Sequence, residues 1–238
     1  MPFSGKIMEK QYYENELEMM KAVGKCRWIV PLIDTFQVDE ELWAIVMPVY
    51  TKNVSQLMEI WETSNSYKPD CQSIVNVFFS LLKALKHLSV LRIAHCDIKT
   101  ENLMIDYNGN VVLIDFGAAT FYGQEVFEFS KESLDVIETD KHEHFQIAGL
   151  QIDLLCMATT LVKMGTGKIG TKKLVGLRAK IRDHLKEEDC ELFYQFANLC
   201  LNTLENRTQS LDTTHLEHIW MEAAQIAKEY RLPAEWSE

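Results

Sequence analysis

The sequence predicts a mixed α+β protein whose short strands lie in the first half of the chain and whose long helices fill the second half. Apolar runs bounded by turn signals recur up to residue 114, and apolar residues at helical spacing dominate from residue 152 onward. Hydrophobic residues make up 47% of the 238 residues and charged residues 25%. This composition is typical of a globular protein, and the length suits one two-lobed domain or two small domains.

The first half begins with an amphipathic helix over residues 12–23, where apolar residues recur among acidic ones. Residues 29–36 and 42–49 are predicted to be strands, and the acidic residues 39–41 between them favour a hairpin turn. Residues 74–88 carry a broad apolar face at helical spacing, which predicts a largely buried helix.

Two short apolar runs follow, residues 103–105 and 111–114, on either side of the pair Asn108-Gly109. An Asn-Gly pair between apolar runs is a strong hairpin signal. Residues 121–147 have no clear period and are predicted to form a long loop, which in a compact domain is usually functional or disordered. The remaining pattern predicts three helices, at residues 152–164, 191–204 and 216–230.

The charge and the cysteine spacing exclude several classes of protein. A net charge of −11 argues against broad binding of nucleic acid or anionic membranes, and leaves basic peptide segments as partners. No two of the six cysteines have C-x-x-C spacing, so neither a zinc ribbon nor a thioredoxin-like site is predicted. The N-terminus has no apolar signal core and no run approaches about 20 apolar residues. We therefore expect a cytoplasmic or nuclear protein that does not span a membrane.

Two motifs flanking the predicted hairpin carry the chemistry. Residues 95–102 read HCDIKTEN, and residues 115–117 read DFG. The tripeptide alone is a weak signal. The spacing of four residues is more specific. Asn102 follows Asp97 by five residues, with Lys99 between them, and Asp115 follows Asn102 by thirteen. This pattern resembles the catalytic core of eukaryotic-type protein kinases.

The resemblance implies a role for each residue of the pattern. Asp97 would accept the proton of the substrate hydroxyl or orient that hydroxyl, and Lys99 would contact the γ-phosphate. Asn102 and Asp115 would hold Mg²⁺, a hard cation that prefers oxygen ligands. A lysine at position 99 resembles serine/threonine kinases and argues against aminoglycoside-type small-molecule kinases.

The resemblance extends to both sides of the core. Lys6 is placed like the phosphate-binding lysine of the family, although a solvated N-terminal lysine is the alternative. Glu16 matches the glutamate that pairs with that lysine, with Glu14 as the second choice. Asp153, at the start of an apolar helix, matches the aspartate that anchors the backbone of the catalytic loop.

The adenine site implied by the resemblance lies around residue 48. Met47 takes the gatekeeper position, and the hinge runs from Pro48 to Tyr50. Because Pro48 lacks an N–H but keeps its carbonyl, it can still accept a hydrogen bond from adenine. Met104 would form the floor under the adenine ring.

The implied fold is bilobal and kinase-like, with a reduced N-lobe over residues 1–49 and a helical C-lobe over residues 50–238. Only five residues precede Lys6, so we expect the strands that carry the glycine-rich phosphate loop to be missing. Cys96 replaces the arginine of the H-R-D motif, and no A-P-E closes the activation segment.

The sequence therefore predicts a serine/threonine protein kinase that uses ATP and Mg²⁺, with a protein substrate and a regulatory protein partner. The alternative is a pseudokinase that serves as a binding or scaffold module. A small-molecule kinase is a third reading. The helix near residues 150–160 resembles mitotic checkpoint Bub-type kinases, while residues 95–102 and 116–119 are similar to alphaherpesvirus serine/threonine kinases.

Overall fold

The computed structural model describes residues 3–63, 71–126, 146–166, 191–205 and 211–230. Its elements in chain order are β1 (Phe3–Glu9), α1 (Lys10–Val23), β2 (Asp34–Gln37), β3 (Leu42–Pro48), β4 (Lys52–Asn53), α2 (Val54–Glu62), α3 (Cys71–Val90), β5 (Ile93–Ala94), a 3₁₀ turn (Thr100–Asn102), β6 (Leu103–Ile105), β7 (Val111–Leu113), β8 (Thr120–Phe121), α4 (Leu150–Thr166), α5 (Glu191–Glu205) and α6 (Thr213–Glu229). The predicted α+β class, with strands first and helices last, is confirmed.

The first sheet is antiparallel and has the strand order β1-β3-β2, so β3 is its central strand. The predicted acidic turn joins β2 to β3, where the carboxylate of Asp39 accepts the N–H groups of Glu41 and Leu42 at 2.9 and 2.8 Å. α1 packs on one face of this sheet, and the Tyr13 ring stacks on Trp43 with the ring centroids 4.9 Å apart.

The prediction of a strand over residues 29–36 was wrong at its start, because β2 begins only at Asp34. Residues 28–30 pair with β7 instead: the Val30 N–H donates to the carbonyl of Leu113, and the Leu113 N–H donates to the carbonyl of Trp28, both at 2.9 Å. This connection ties the segment that follows α1 to the strand that leads into the DFG motif.

The second sheet has the order β4-β6-β7 and contains the predicted Asn-Gly hairpin. Gly109 has φ +79°, a left-handed conformation that L side chains rarely adopt, and Asp106 accepts the N–H groups of Asn108 and Asn110 at 2.8 Å. The helix α2 was not predicted. Its start is a capping box in which Asn53 and Gln56 each accept the other's backbone N–H.

The helices of the second half pack around α3. The Phe78 ring stacks on Phe196 of α5 at 4.2 Å, and Phe79 meets Trp220 of α6 edge to face at 4.8 Å. The 20-residue α3 is long and apolar enough to cross a membrane, so the expectation that no run reaches this length and composition was wrong. In the structure, 67% of its most apolar window is buried inside the protein, as in the core helix of a globular domain.

Candidate active site

The catalytic loop lies between β5 and β6 and is fixed by α4. Asp153 of α4 is fully buried and accepts the N–H of His95 at 3.0 and 3.1 Å and the N–H of Cys96 at 2.9 Å. Burial raises the pKa of Asp153 to about 7, although these two backbone N–H groups favour the ionised form. Cys96 has φ +65°, which for a residue other than glycine costs about 1–3 kcal/mol. The contacts with Asp153 thus hold the loop in a strained shape.

Two further residues of α4 reach the same loop and were not singled out from the sequence. The Thr160 hydroxyl donates to the carbonyl of Ile98 at 3.1 Å, and Lys163 forms an ion pair with Glu101 at 2.9 Å. Residues 153, 160 and 163 follow helical spacing and share one face of α4. This polar spacing in an otherwise apolar helix was the signal that could have found them.

One carboxylate oxygen of Asp97 accepts hydrogen bonds and the other has no partner. Its Oδ2 accepts Lys99 Nζ at 2.7 Å and Asn102 Nδ2 at 2.9 Å, and Asn102 Nδ2 also donates to the backbone carbonyl of Asp97 at 2.9 Å. Its Oδ1 is buried and has no hydrogen-bond partner. Burial would lower the pKa of Lys99, but the hydrogen bond and charge of Asp97 raise it, so the lysine stays charged.

The DFG motif docks on the catalytic loop through His95. The Phe116 ring is fully buried and meets the His95 ring edge to face at 4.9 Å. Burial lowers the pKa of His95, which favours the neutral ring. The protonated Nε2 then donates to the Ile114 carbonyl at 3.0 Å, while Nδ1 accepts the N–H of Asp97 at 3.3 Å.

Lys6 joins β1 to both α1 and the DFG motif. Its Nζ lies 2.7 Å from Glu16 Oε2 and 2.7 Å from Asp115 Oδ1. Lys6 is therefore not the free N-terminal lysine of the alternative reading. Glu14 instead pairs with Lys10 at 3.7 Å on the exposed face of α1.

The ionisation of this triad follows from burial and charge. Burial lowers the pKa of Lys6, but the two carboxylates outweigh it and the net shift is upward. Burial raises the pKa of Asp115, but Lys6 outweighs it and the net shift is downward. For Glu16, which is almost fully buried and whose Oε1 has no partner, burial prevails and the pKa rises.

Asn15, next to Glu16 on α1, is a further contact that the sequence patterns did not indicate. Its Nδ2 donates to the carbonyls of Gly117 at 2.9 Å and Ala119 at 3.3 Å. A side chain at position 117 would bring its Cβ to 3.3 Å from Asp115 Oδ1, so the glycine permits this close approach. α1 therefore holds both ends of the DFG motif.

The predicted adenine-site residues lie on two sheets. Met47 is buried on β3, on the same face as Lys6 because Ile45 faces Lys6 across the β1–β3 pair. Pro48 ends β3, and Tyr50 is half-buried in the connection that follows, with its pKa raised to about 12 by burial and by Asp106.

Met104 lies on β6 of the second sheet and is half-buried, opposite Asn53 of β4 and Val112 of β7. The adenine roles of Met47, Pro48, Tyr50 and Met104 stay predictions. The stretch of the activation segment at residues 127–145, which carries no A-P-E motif, lies outside the described residues.

The comparison with known families agrees with this geometry. The family model described as "Protein kinase domain" matches residues 4–138, which is more than half of the chain. The chain belongs to the protein kinase family. The bilobal kinase-like fold expected from the resemblance is thereby confirmed, while the lobe boundary at residues 49 and 50 remains a prediction.

Several serine/threonine kinases are similar to this protein kinase chain. Serine/threonine-protein kinase CLA4 of Candida albicans is 33% identical over 109 residues, covering 45% of the chain and 11% of CLA4. PSK2 of Saccharomyces cerevisiae is 31% identical over 126 residues, 51% of the chain and 11% of PSK2. SIK2 of Gallus gallus is 25% identical over 232 residues, 91% of the chain and 27% of SIK2. The chain thus spans roughly a tenth to a quarter of the length of these relatives.

Proposed function

We propose that this kinase domain transfers the γ-phosphoryl group of ATP, with Mg²⁺, to a serine or threonine hydroxyl of a protein. The observation that carries the proposal is the state of Asp97. Lys99 and Asn102 hold its Oδ2, while its Oδ1 is buried without a partner. A buried acceptor without a donor is costly, and a substrate hydroxyl is the donor that would satisfy it.

The oxygen atoms at the site suit Mg²⁺. Among the described residues, no donor bonds to Asn102 Oδ1, because the amide contacts run through Nδ2, and none bonds to Asp115 Oδ2. Carboxylate and amide oxygens are ligands that Mg²⁺ accepts, usually with only one or two protein groups and with phosphate oxygens completing the set.

The bound cation would offset negative charge on the transferring group. The chain's own residues would move the proton and add positive charge. Asp97 Oδ1 would orient the hydroxyl and take its proton as the new P–O bond forms and the bond from the γ-phosphorus to the bridging oxygen breaks, so that ADP leaves. Lys99, kept protonated beside Asp97, adds positive charge at the transferring group. Lys6, positioned by Glu16, does the same on the β1 side.

We propose that the protein substrate presents a basic segment, because the chain carries a net charge of −11. A mitotic checkpoint Bub-type grouping, a regulatory protein partner and a cytoplasmic or nuclear location belong to the same proposal. The short resemblances and the composition described above support them.

The open edge of the first sheet favours a second candidate, a pseudokinase that acts as a binding module. Among the described residues, β1 pairs only with β3, and no glycine-rich hairpin covers Lys6. Backbone N–H groups that would cradle the phosphates are thus not supplied by this part of the chain. We expect weak nucleotide binding and slow transfer unless a partner or an added segment supplies that cover.

Calorimetry of ATP binding with and without Mg²⁺, followed by a transfer assay on a basic protein substrate, separates the two candidates. The kinase predicts Mg²⁺-dependent binding, and transfer that Asp97→Asn reduces about a thousandfold. A folded sample without Mg²⁺-dependent binding at millimolar ATP would instead favour the pseudokinase.

A further inference from the structure

A cavity lies away from the catalytic loop, between the segment after α1, the end of α3 and the start of α6. Its volume is about 670 Å³, within the range of roughly 300–1,000 Å³ that small-molecule sites occupy. Its walls are mostly apolar and aromatic, with lysines at the edge. They are formed by Trp28, Leu82, Lys83, Leu216, Trp220 and Met221, with Lys86 and Glu217 at the rim.

The charges around this cavity are unbalanced. Lys83 Nζ lies over two indoles, 4.6 Å from the Trp28 ring centroid and 5.5 Å from that of Trp220. No carboxylate among the described residues pairs with Lys83, and Arg27 lies over the same Trp28 ring at 5.1 Å. Glu217 is engaged with Lys86 at 3.2 Å.

The three cations against one carboxylate give this surface a positive charge in a chain of net charge −11. Burial and the charge of Arg27 lower the pKa of Lys83. An anionic neighbour would raise this pKa again. The Lys83 ammonium therefore contacts two indole faces and no carboxylate of the described residues.

We propose that this cavity binds a small amphipathic carboxylate, with its acyl or aryl body between the two indoles and its carboxylate on Lys83. The apolar walls supply the burial, since each buried methylene contributes about 0.8 kcal/mol. The unpaired lysine selects the charge of the head group. The exposed Met221 side chain lies at the opening of the cavity.

A ligand here would touch the segment that connects the two halves of the kinase site. The carbonyl of Trp28 accepts the N–H of Leu113, two residues before Asp115. Because Trp28 is a wall of the cavity, an occupied cavity restrains that pair and slows hydrogen exchange of the Leu113 amide.

The test is titration of the whole chain with decanoate, monitored by calorimetry, with decanol and decyltrimethylammonium as probes of the same body. Decanoate is expected to bind more tightly than either. Lys83→Met should weaken decanoate about tenfold, which is 1.4 kcal/mol, and leave decanol unchanged. Lys10→Met, an exposed lysine on α1, is the matched control and should change neither.

Met221→Glu places a carboxylate at the opening of the cavity without disturbing the core, and should weaken decanoate where Met221→Gln does not. Hydrogen exchange should slow at residues 26–30, 111–113 and 213–222 on binding. Equal affinity for the carboxylate and the ammonium probe overturns the proposal. So does Lys83→Met binding decanoate like the parent, or protection spread over the whole chain. Binding of acidic peptides without binding of decanoate would assign the surface to protein partners instead.

Discussion

The two sides of the kinase site differ in how the chain supports them. On the catalytic-loop side, buried Asp153 holds the backbone, and the Asp97 side chain is only 15% exposed. On the β1 side, Lys6 and Asp115 remain 37% and 35% exposed, and β1 has no described neighbour beyond β3. The groups that would carry out proton transfer are therefore preorganised by the core. The proposed phosphate binding would depend on side chains that water still reaches.

Loss of the proposed base, Asp97, tests the catalytic-loop side most directly. Asp97→Asn should reduce transfer about a thousandfold, because general base catalysis contributes roughly 10²–10⁴ in rate. Nucleotide affinity and the unfolding transition should stay near those of the parent, since the amide still accepts from Lys99 and Asn102. Single-turnover phosphoryl transfer at saturating ATP measures the effect.

Asp34→Asn, an exposed aspartate on β2, is the control for this change and should transfer at the parent rate. Equal activity of Asp97→Asn and the parent on a verified substrate would remove Asp97 from its role. The catalytic-loop side would then not be the side that carries out proton transfer.

Loss of Asp153, which anchors the catalytic loop, should lower the free energy of unfolding. Asp153→Ala leaves the buried N–H groups of His95 and Cys96 without an acceptor, at a cost of roughly 2–5 kcal/mol in the free energy of unfolding. Asp153→Asn keeps one oxygen and should lose less. Urea denaturation followed by circular dichroism measures both, and a loss below about 1 kcal/mol for the alanine variant would mean that other contacts fix the loop.

The sequence predicted the residues on both sides of the site better than it predicted the contacts that hold them. The motif spacing predicted that one site contains the residues Asp97, Lys99, Asn102 and Asp115. In the structure they belong to two hydrogen-bonded groups. The choice of Glu16 over Glu14 agrees with the ion pair to Lys6. Neither finding tests their catalytic roles.

The contacts that escaped prediction are pairings between distant parts of the chain. Asn15 and Thr160 each bond to a backbone carbonyl far away in sequence, and a local pattern carries no information about such a partner. The predicted strand at residues 29–36 was wrong at its start for the same reason, because Val30 bonds to Leu113 and not to the central strand of the first sheet.

Loss of the proposed metal ligand Asp115 tests the β1 side. Asp115→Asn should weaken binding of Mg²⁺-ATP by at least about tenfold, or 1.4 kcal/mol, because a neutral amide replaces the carboxylate. Binding of ATP without Mg²⁺ should change less, and calorimetry in magnesium and in chelator measures the difference. If Asp115→Asn lowered the transfer rate with no change in Mg²⁺-ATP affinity, the division into a rate side and a binding side would fail.

The smallest effect concerns the ionisation of Asp153. Its pKa is raised to about 7 from 3.8 by burial, so the folded state holds a proton that the unfolded state releases. The stability that this proton contributes is complete below about pH 4 and is lost as the pH rises to about 7. His95 acts in the opposite sense, because its pKa is lowered and its contribution is lost as the pH falls below about 6.5.

The parent alone therefore shows a partly cancelled pH dependence, and the comparison with Asp153→Asn isolates the carboxyl group, since both proteins keep His95. Between pH 4 and 7 the parent should lose about 1 kcal/mol or more relative to Asp153→Asn, because one pKa unit corresponds to 1.36 kcal/mol. Urea denaturation at half-unit pH steps measures this difference. A parent that gains stability relative to Asp153→Asn over that range would mean that the two N–H bonds outweigh burial and that the anchor is a fully ionised carboxylate.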